Sequence, residues 1–202
     1  MFTGIVQGTA QVRSVRDAVG LRSLVLALPE GRAAGLVPGA SVAVAGTCLT
    51  AVEIDGSEVR FDLIDETLAR TTLGALAVGH RVNVERAARF GDEIGGHLLS
   101  GHVLEAATVV ERRELDGNLA LTIQVGPSAA RYVLPKGFVA VDGVSLTVGE
   151  VRAGRFAVHL IPETRRVTTL DALRPGDRVN LEVDAATAAV VDTVERVLAD
   201  RS

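Results

Sequence analysis

A single cysteine, Cys48, stands among 202 residues, so no disulfide can form within the chain and the composition suits a reducing compartment. Cys48 is either a free thiol or a core residue. Lysine is equally scarce, since Lys136 is the sole one and every other side-chain cation is an arginine. Where arginine serves every surface, one lysine marks either a compact, titratable ammonium or a chance survivor. No apolar run approaches the length of a bilayer span, and Met1-Phe2-Thr3-Gly4 opens straight into an apolar-rich strand without the features of a secretory signal. The expected location is the cytosol. Clustered Lys/Arg stripes are missing and the net charge is only −4, which argues against a nucleic-acid partner. Neither metal-ligand spacing nor a glycine-rich phosphate cradle before a helix occurs, so no metal and no nucleotide cofactor is expected.

What is present is a duplication. The run Val42-Ala43-Val44-Ala45-Gly46-Thr47-Cys48-Leu49-Thr50 returns as Val139-Ala140-Val141-Asp142-Gly143-Val144-Ser145-Leu146-Thr147, an offset of 97 residues that holds without a gap from Val42 to Glu85. Along it Glu66-Thr67 recurs as Glu163-Thr164, Thr71-Thr72-Leu73 as Thr168-Thr169-Leu170, and Arg81-Val82-Asn83 as Arg178-Val179-Asn180. Each copy consists of short runs of alternating apolar residues, such as 11–15, 24–28, 41–44, 49–54, 59–63 and 81–85, broken by turn signals such as Asp55-Gly56 and Asp116-Gly117. That pattern predicts a small all-β barrel or sandwich per copy. Short helical turns are expected over 31–36 and 66–71, with 127–134 repeating the first, and Gly91 to Gly96 is expected to link the copies. The tail changes period: Val190, Val191, Val194, Val197 and Leu198 recur at helical spacing. Such a helix either packs on its own barrel or associates with helices of other subunits.

Two copies of one binding fold suit a protein that handles two molecules of similar shape. The copies agree at small polar positions beside glycines (Cys48 with Ser145, Thr50 with Thr147, Thr67 with Thr164, Gly4 with Gly101), groups that can meet the edge of a flat heterocycle. They differ where protons could move. Asp142 faces Ala45, His102 faces Ile5, Lys136 faces Gly39 and Ser145 faces Cys48, so titratable groups concentrate in the second copy. Asp142 either orients the Ser145 hydroxyl or holds its own turn by an Asx-type bond. His102 is either a general base or a structural group; His97 is assigned to the linker, and His80 and His159 have no partner motif.

These residues carry a resemblance. The start Met1-Phe2-Thr3-Gly4-Ile5-Val6, the central run from Asn83 to Val103, His159-Leu160-Ile161-Pro162-Glu163-Thr164 and the tail from Ala189 to Leu198 together resemble the riboflavin synthase family of the alpha-chain type, over nearly the whole chain. The resemblance implies an all-β fold of two tandem similar six-stranded Greek-key barrels plus a C-terminal α-helix, with barrels over 1–97 and 98–184 and an oligomerisation helix over 185–202. It further implies a homotrimer with each active site between barrels of neighbouring subunits. The implied reaction is a cofactor-independent dismutation of two 6,7-dimethyl-8-ribityllumazine molecules into riboflavin and 5-amino-6-ribitylaminouracil. Association with lumazine synthase stays open.

Carried over by position, the lumazine-contacting residues fall on Gly4-Ile5-Val6, Cys48-Leu49-Thr50, Asp62-Leu63-Ile64-Asp65-Glu66-Thr67, Gly101-His102-Val103, Lys136, Ser145-Leu146-Thr147 and Leu160-Ile161-Pro162-Glu163-Thr164-Arg165. Catalytic candidates are Ser145, Asp142, Thr147, His102, Lys136 and Cys48, supported by Ser41, Phe2 and Asp184. One departure stands out: the family usually has Asn-Gly where this chain has Ala45-Gly46, which is expected to remove an amide beside the first pocket. The rival readings are a non-catalytic lumazine- or flavin-binding protein of the same fold and a structural trimer without ligand.

Overall fold

The computed structural model describes residues 1–200 (for Leu115, the backbone alone). In the first copy, strands β1 (Thr9–Ala18), β2 (Leu21–Ala27), β3 (Ser41–Val44), β4 (Thr47–Asp55), β5 (Glu58–Ile64) and β6 (Arg81–Arg86) close into a barrel of order β1-β2-β5-β4-β3-β6. Alternation supplies the inside of the barrel. Val59, Phe61 and Leu63 of β5 point inward with Leu24, Leu26, Val42, Val44 and Leu49, while Arg60, Asp62 and Ile64 face out. Helix α1 (Asp65–Arg70) follows β5, and a 3₁₀ turn at Thr72–Ala75 buries Leu73 beneath it.

The second copy repeats this with β7 (Glu105–Leu115), β8 (Asn118–Gln124), α2 (Pro127–Ala130), β9 (Phe138–Val141), β10 (Val144–Thr147), β11 (Val151–Arg152), β12 (Arg155–Leu160), α3 (Pro162–Val167) and β13 (Arg178–Val183). Its strands form a seven-stranded sheet, order β10-β9-β13-β7-β8-β12-β11. The extra strand arises because β10 and β11 together occupy the place of β4. Between them Gly149 N–H bonds Ala157 O at 2.8 Å and Ala157 N–H bonds Glu150 O at 2.9 Å, carrying the pairing past the break. The first copy has a bulge at the matching place, between Ala51 and Glu53.

One local expectation is corrected. Residues 31–36 form successive turns rather than helix, because Gly31 and Gly35 adopt positive φ of 74° and 65°; the matching Pro127–Ala130 has no glycine, begins with proline at its first turn, and is helical.

The halves meet about a pseudo-two-fold axis that the repeat itself locates. Phe2 N–H bonds Leu99 O at 2.8 Å and Leu99 N–H bonds Phe2 O at 2.9 Å, and these residues are each other's equivalents at offset 97. Gly46 and Gly143, also equivalents, touch backbone to backbone. Only positions on a two-fold axis can pair with their own counterparts. Around it the bonds are reciprocal: Asn83 Nδ2 donates to Asp142 O (3.0 Å) and Asn180 Nδ2 to Ala45 O (2.8 Å), while Thr72 N–H bonds Asn180 Oδ1 (2.7 Å) and Thr169 N–H bonds Asn83 Oδ1 (2.8 Å). Phe2, Ala43, Leu99 and Ala140 form a small apolar plug between the barrels.

The tail forms α4 (Ala185–Ala199), capped by Asp184, whose carboxylate accepts from Thr187 N–H at 2.8 Å. No residue of α4 is buried; it is held by Asp192 and Glu195 to Arg131, and by Asp192 to the Tyr132 hydroxyl. Arg201 and Ser202 of the expected oligomerisation segment lie outside the described residues. Among the described residues no helix is long and apolar enough to cross a membrane, and no group of His, Cys, Asp and Glu is placed to hold a metal ion.

Candidate functional site

Each copy's leading segment lies along the last strand of its own barrel and reaches across to the other barrel's hairpin. Glu85 anchors the first segment, accepting from Thr3 N–H (2.6 Å), Thr3 Oγ1 (2.8 Å) and Gly4 N–H (3.0 Å); Glu182 anchors the second through Ser100 and Gly101. Burial pushes both carboxyls up, and these hydrogen bonds oppose it. Beyond the anchors Gly101 O accepts from Cys48 N–H and Gly4 O from Ser145 N–H, both at 2.9 Å. Glycine is required at both crossings. A Cβ on Gly101 would lie 2.6 Å from Cys48 Cβ, and one on Gly4 2.5 Å from Ser145 Cβ.

The first crossing opens a cleft of about 380 Å³ that brings together Cys48, Glu66, Thr67, Gly101, His102 and Val103 with Thr47, Arg70, Thr71 and Leu104. Thr47 Oγ1 is buried with no hydrogen-bond partner among the described residues. The matching second site replaces Thr47, Cys48, Arg70 and His102 with Val144, Ser145, Val167 and Ile5. Here the structure adds a residue that the sequence assigned to the linker: His97 Nδ1 lies 2.7 Å from Ser145 Oγ, and its ring stacks on Phe138 at 5.3 Å. Burial lowers the His97 pKa, against the opposing field of Asp184. For Asp184 burial pushes upward, but its bonds from Thr187 and the charge of His97 outweigh it and the pKa falls.

Other predicted residues take different places. Thr147 is exposed, paired in register with Phe138, and Ser41 likewise faces Thr50 across β3 and β4. Leu49, Leu63, Leu146 and Leu160 point into the barrel cores, leaving only their backbone for a ligand. Ile64, Asp65, Ile161, Pro162 and Glu163 are exposed, Thr164 and Val6 half-buried, and Arg165 is engaged by Asp171 at 2.6 Å and by Glu114 at 3.0 Å. Lys136 is exposed at a turn, with φ of 68° where the first copy has Gly39. Phe2 is the interbarrel plug, packed with Cys48.

Asp142 lies apart from the Ser145 hydroxyl group's partner. Its Oδ1 accepts from Asn180 N–H at 2.8 Å, and the residue lines a cavity of about 450 Å³ between the barrels with Ala45, Thr72 and Thr169. Ala45 lines this cavity rather than the cleft of Cys48, which corrects its expected place. It holds φ of 45°, a conformation asparagine tolerates better than alanine, and its methyl cannot accept a hydrogen bond as the equivalent Asp142 Oδ1 does from Asn180 N–H. Ala45→Asn is therefore expected to stabilise the fold by about 1–2 kcal/mol, read as a higher midpoint in urea. A larger hollow of about 670 Å³ beside Thr3, Ile5, Arg86 and Arg89 gathers none of the catalytic candidates, so size does not select the site.

Two similar barrels, each setting a hairpin thiol or hydroxyl beside the other copy's leading segment, define a tandem-domain protein with two equivalent sites. The lumazine binding domain model matches residues 3–87 and 100–184. Riboflavin synthase of Escherichia coli (strain K12) is 54% identical over 202 residues, covering 100% of this chain and 95% of that protein. That of Chlamydia pneumoniae is 43% identical over 204 residues, covering 98% of each. Among solved structures, LumP complexed with riboflavin aligns with a TM-score of 0.85 at 28% identity, covering 91% of this chain and 100% of that chain. The chain belongs to the riboflavin synthase family of tandem lumazine-binding domain proteins.

Proposed function

We propose that the protein is a riboflavin synthase, a transferase that moves a four-carbon unit between two molecules of 6,7-dimethyl-8-ribityllumazine to give riboflavin and 5-amino-6-ribitylaminouracil without a cofactor. The carrying observation is the pair of equivalent sites with unequal chemistry, Cys48 with His102 in one and Ser145 with His97 in the other. One substrate per site accounts for the duplication; unequal side chains account for unequal roles as donor and acceptor. Holding two heterocycles face to face can contribute about 7–11 kcal/mol. Cys48, His102 and Ser145, with Thr147, Ser41 and Lys136 as further candidates from the family resemblance, then assist loss of a proton from the methyl group at ring position seven and attack of the carbanion on its partner. Phe2, Asp142 and Asp184 support this through the interbarrel contact and the helix cap.

The reading extends to a cytoplasmic homotrimer whose sites form between the first barrel of one subunit and the second of a neighbour. Exposed Ile5, Ile64, Phe138 and Ile161 surround the half-sites, and α4 presents Val190, Val194, Val197 and Leu198 outward, opposite its clamped acidic residues. Deleting everything after Asp184 is expected to yield smaller species in sedimentation; an unchanged trimer refutes the role of α4. Co-sedimentation with lumazine synthase tests for a larger assembly.

The direct test is incubation with the lumazine alone, in the dark, with both products followed by chromatography. Equimolar riboflavin and aminouracil are expected. Tight binding without turnover favours the non-catalytic lumazine- or flavin-binding protein of the same fold.

A further inference from the structure

The outer face of the first barrel carries a row of oxygen-bearing side chains of which the second keeps only Thr147. Strand register pairs Ser41 with Thr50 and Ser23 with Asp62, and the pairing of Ala51 with Phe61 sets Thr50 beside Asp62. This row lies one side-chain repeat, about 7 Å, along the strands from Cys48, within reach of an extended five-carbon chain from a heterocycle seated at the thiol. At offset 97 the second barrel has Phe138, Thr147, His159 and Ala120 in these places.

Asp62 is held firmly in the row. Its Oδ1 accepts from Ser23 Oγ at 2.7 Å and from Arg60 Nη1 at 2.8 Å, and its Oδ2 accepts from the same Nη1 at 2.9 Å. Arg60 is itself steadied by Glu53, whose Oε2 lies 3.2 Å from Nε. A carboxylate has about four acceptor sites, so Oδ2 retains capacity for a hydroxyl. Two carboxylates around one guanidinium leave the locality net negative, which disfavours an anionic substituent and suits a neutral polyol. The second barrel has Ala157 in place of Arg60, so no such clamp can form there.

We propose that Arg60 and Ser23 are positioning residues that fix the Asp62 carboxylate for the hydroxyls of an N-ribityl chain, making the first barrel the polyol-selective member of the pair. This rests on the reading that flat N-substituted heterocycles occupy the Cys48 cleft. A ligand's ring would be read at both sites, its side chain chiefly at the first.

The test is fluorescence titration of the full-length protein with riboflavin and with lumiflavin, which shares the ring but carries a methyl group in place of ribityl. Wild type is expected to prefer riboflavin. Arg60→Met is expected to weaken riboflavin at the tighter class of sites by about tenfold while leaving lumiflavin within about twofold; Arg60→Lys should restore part of the preference, and Ser23→Ala should fall between. Arg60 lies on the barrel's outer face, and unfolding midpoints of the variants confirm that the barrel persists. An unchanged riboflavin-to-lumiflavin ratio in Arg60→Met, or an equal loss for both ligands, overturns the clamp while leaving the binding reading intact. Failure of wild type to bind either flavin overturns both.

Discussion

Asp142→Asn is expected to stabilise the protein above neutral pH, although it alters a buried catalytic candidate. Burial pushes the Asp142 carboxyl up to about 7, against a hydrogen bond from the Asn180 backbone that lowers it. In the unfolded chain the group titrates near the ordinary value of about 4. Between these values the folded state holds a proton that the unfolded state has released, so stability falls as pH rises through this window and levels off above about 7. The rise from about 4 to about 7 bounds the loss at about 4 kcal/mol. Asparagine keeps the Oδ1 acceptor for Asn180, tolerates the φ of 47°, and carries no charge to desolvate. Asp142→Ala keeps neither acceptor nor charge and is expected to lose about 1–3 kcal/mol. Urea unfolding of the three proteins between pH 4 and pH 8 separates these effects. A less stable Asp142→Asn at pH 8 would show that the carboxylate is a net stabiliser. A residual slope remains in the variant, since Glu85 and Glu182 are shifted in the same direction.

Strand positions are legible because alternation is local: the run 41–44 coincides with β3, and each other run of the first copy overlaps a strand. The same alternation, followed one step further, would have sent Leu49 and Leu63 to the core and left Thr50 and Asp62 outside. Conformations that depend on φ were harder. Gly31 and Gly35 turn the chain where a short helical turn is expected, and Lys136 occupies a left-handed position that only comparison with Gly39 can signal.

The repeat disclosed which residues are equivalent but not that equivalents touch. Phe2 with Leu99 and Gly46 with Gly143 became an axis only in three dimensions. His97 escaped for a related reason: it precedes the second copy's matched region, so no residue of the first copy corresponds to it and comparison of the halves could not reveal its contact with Ser145. Gly96 held a clue. A side chain there would lie 2.6 Å from Ser145 Cβ, so the paired glycines before His97 mark a close backbone approach as well as a link. Asp142 stands out in the repeat because it differs from Ala45, yet its partner, Asn180 N–H, is 38 residues away, beyond any local turn argument.

Gly46→Ala is expected to be far more damaging than the same change at Gly56, although both glycines have positive φ, 77° and 58°. At Gly56 nothing lies within 4 Å of an added Cβ, so the cost is the left-handed backbone alone, about 1–2 kcal/mol. At Gly46 the new atom would lie 2.6 Å from Gly143 N, 3.1 Å from its Cα and 3.3 Å from Asp142 C. All are backbone atoms, so no rotamer change can relieve the clash and the two hairpins must separate. Separation strains the reciprocal Asn83 and Asn180 bonds, for a total cost of about 4 kcal/mol or more. Cys48 lies two residues beyond Gly46 and Ser145 two beyond Gly143, so the same displacement also moves both sites relative to their crossing segments. Urea midpoints for Gly46→Ala, Gly143→Ala and Gly56→Ala, alongside lumazine turnover, would test this. The two axial variants should lose both stability and turnover, with Gly56→Ala retaining turnover. Equal destabilisation at all three glycines would show that φ alone governs these positions and that the axial contact yields easily.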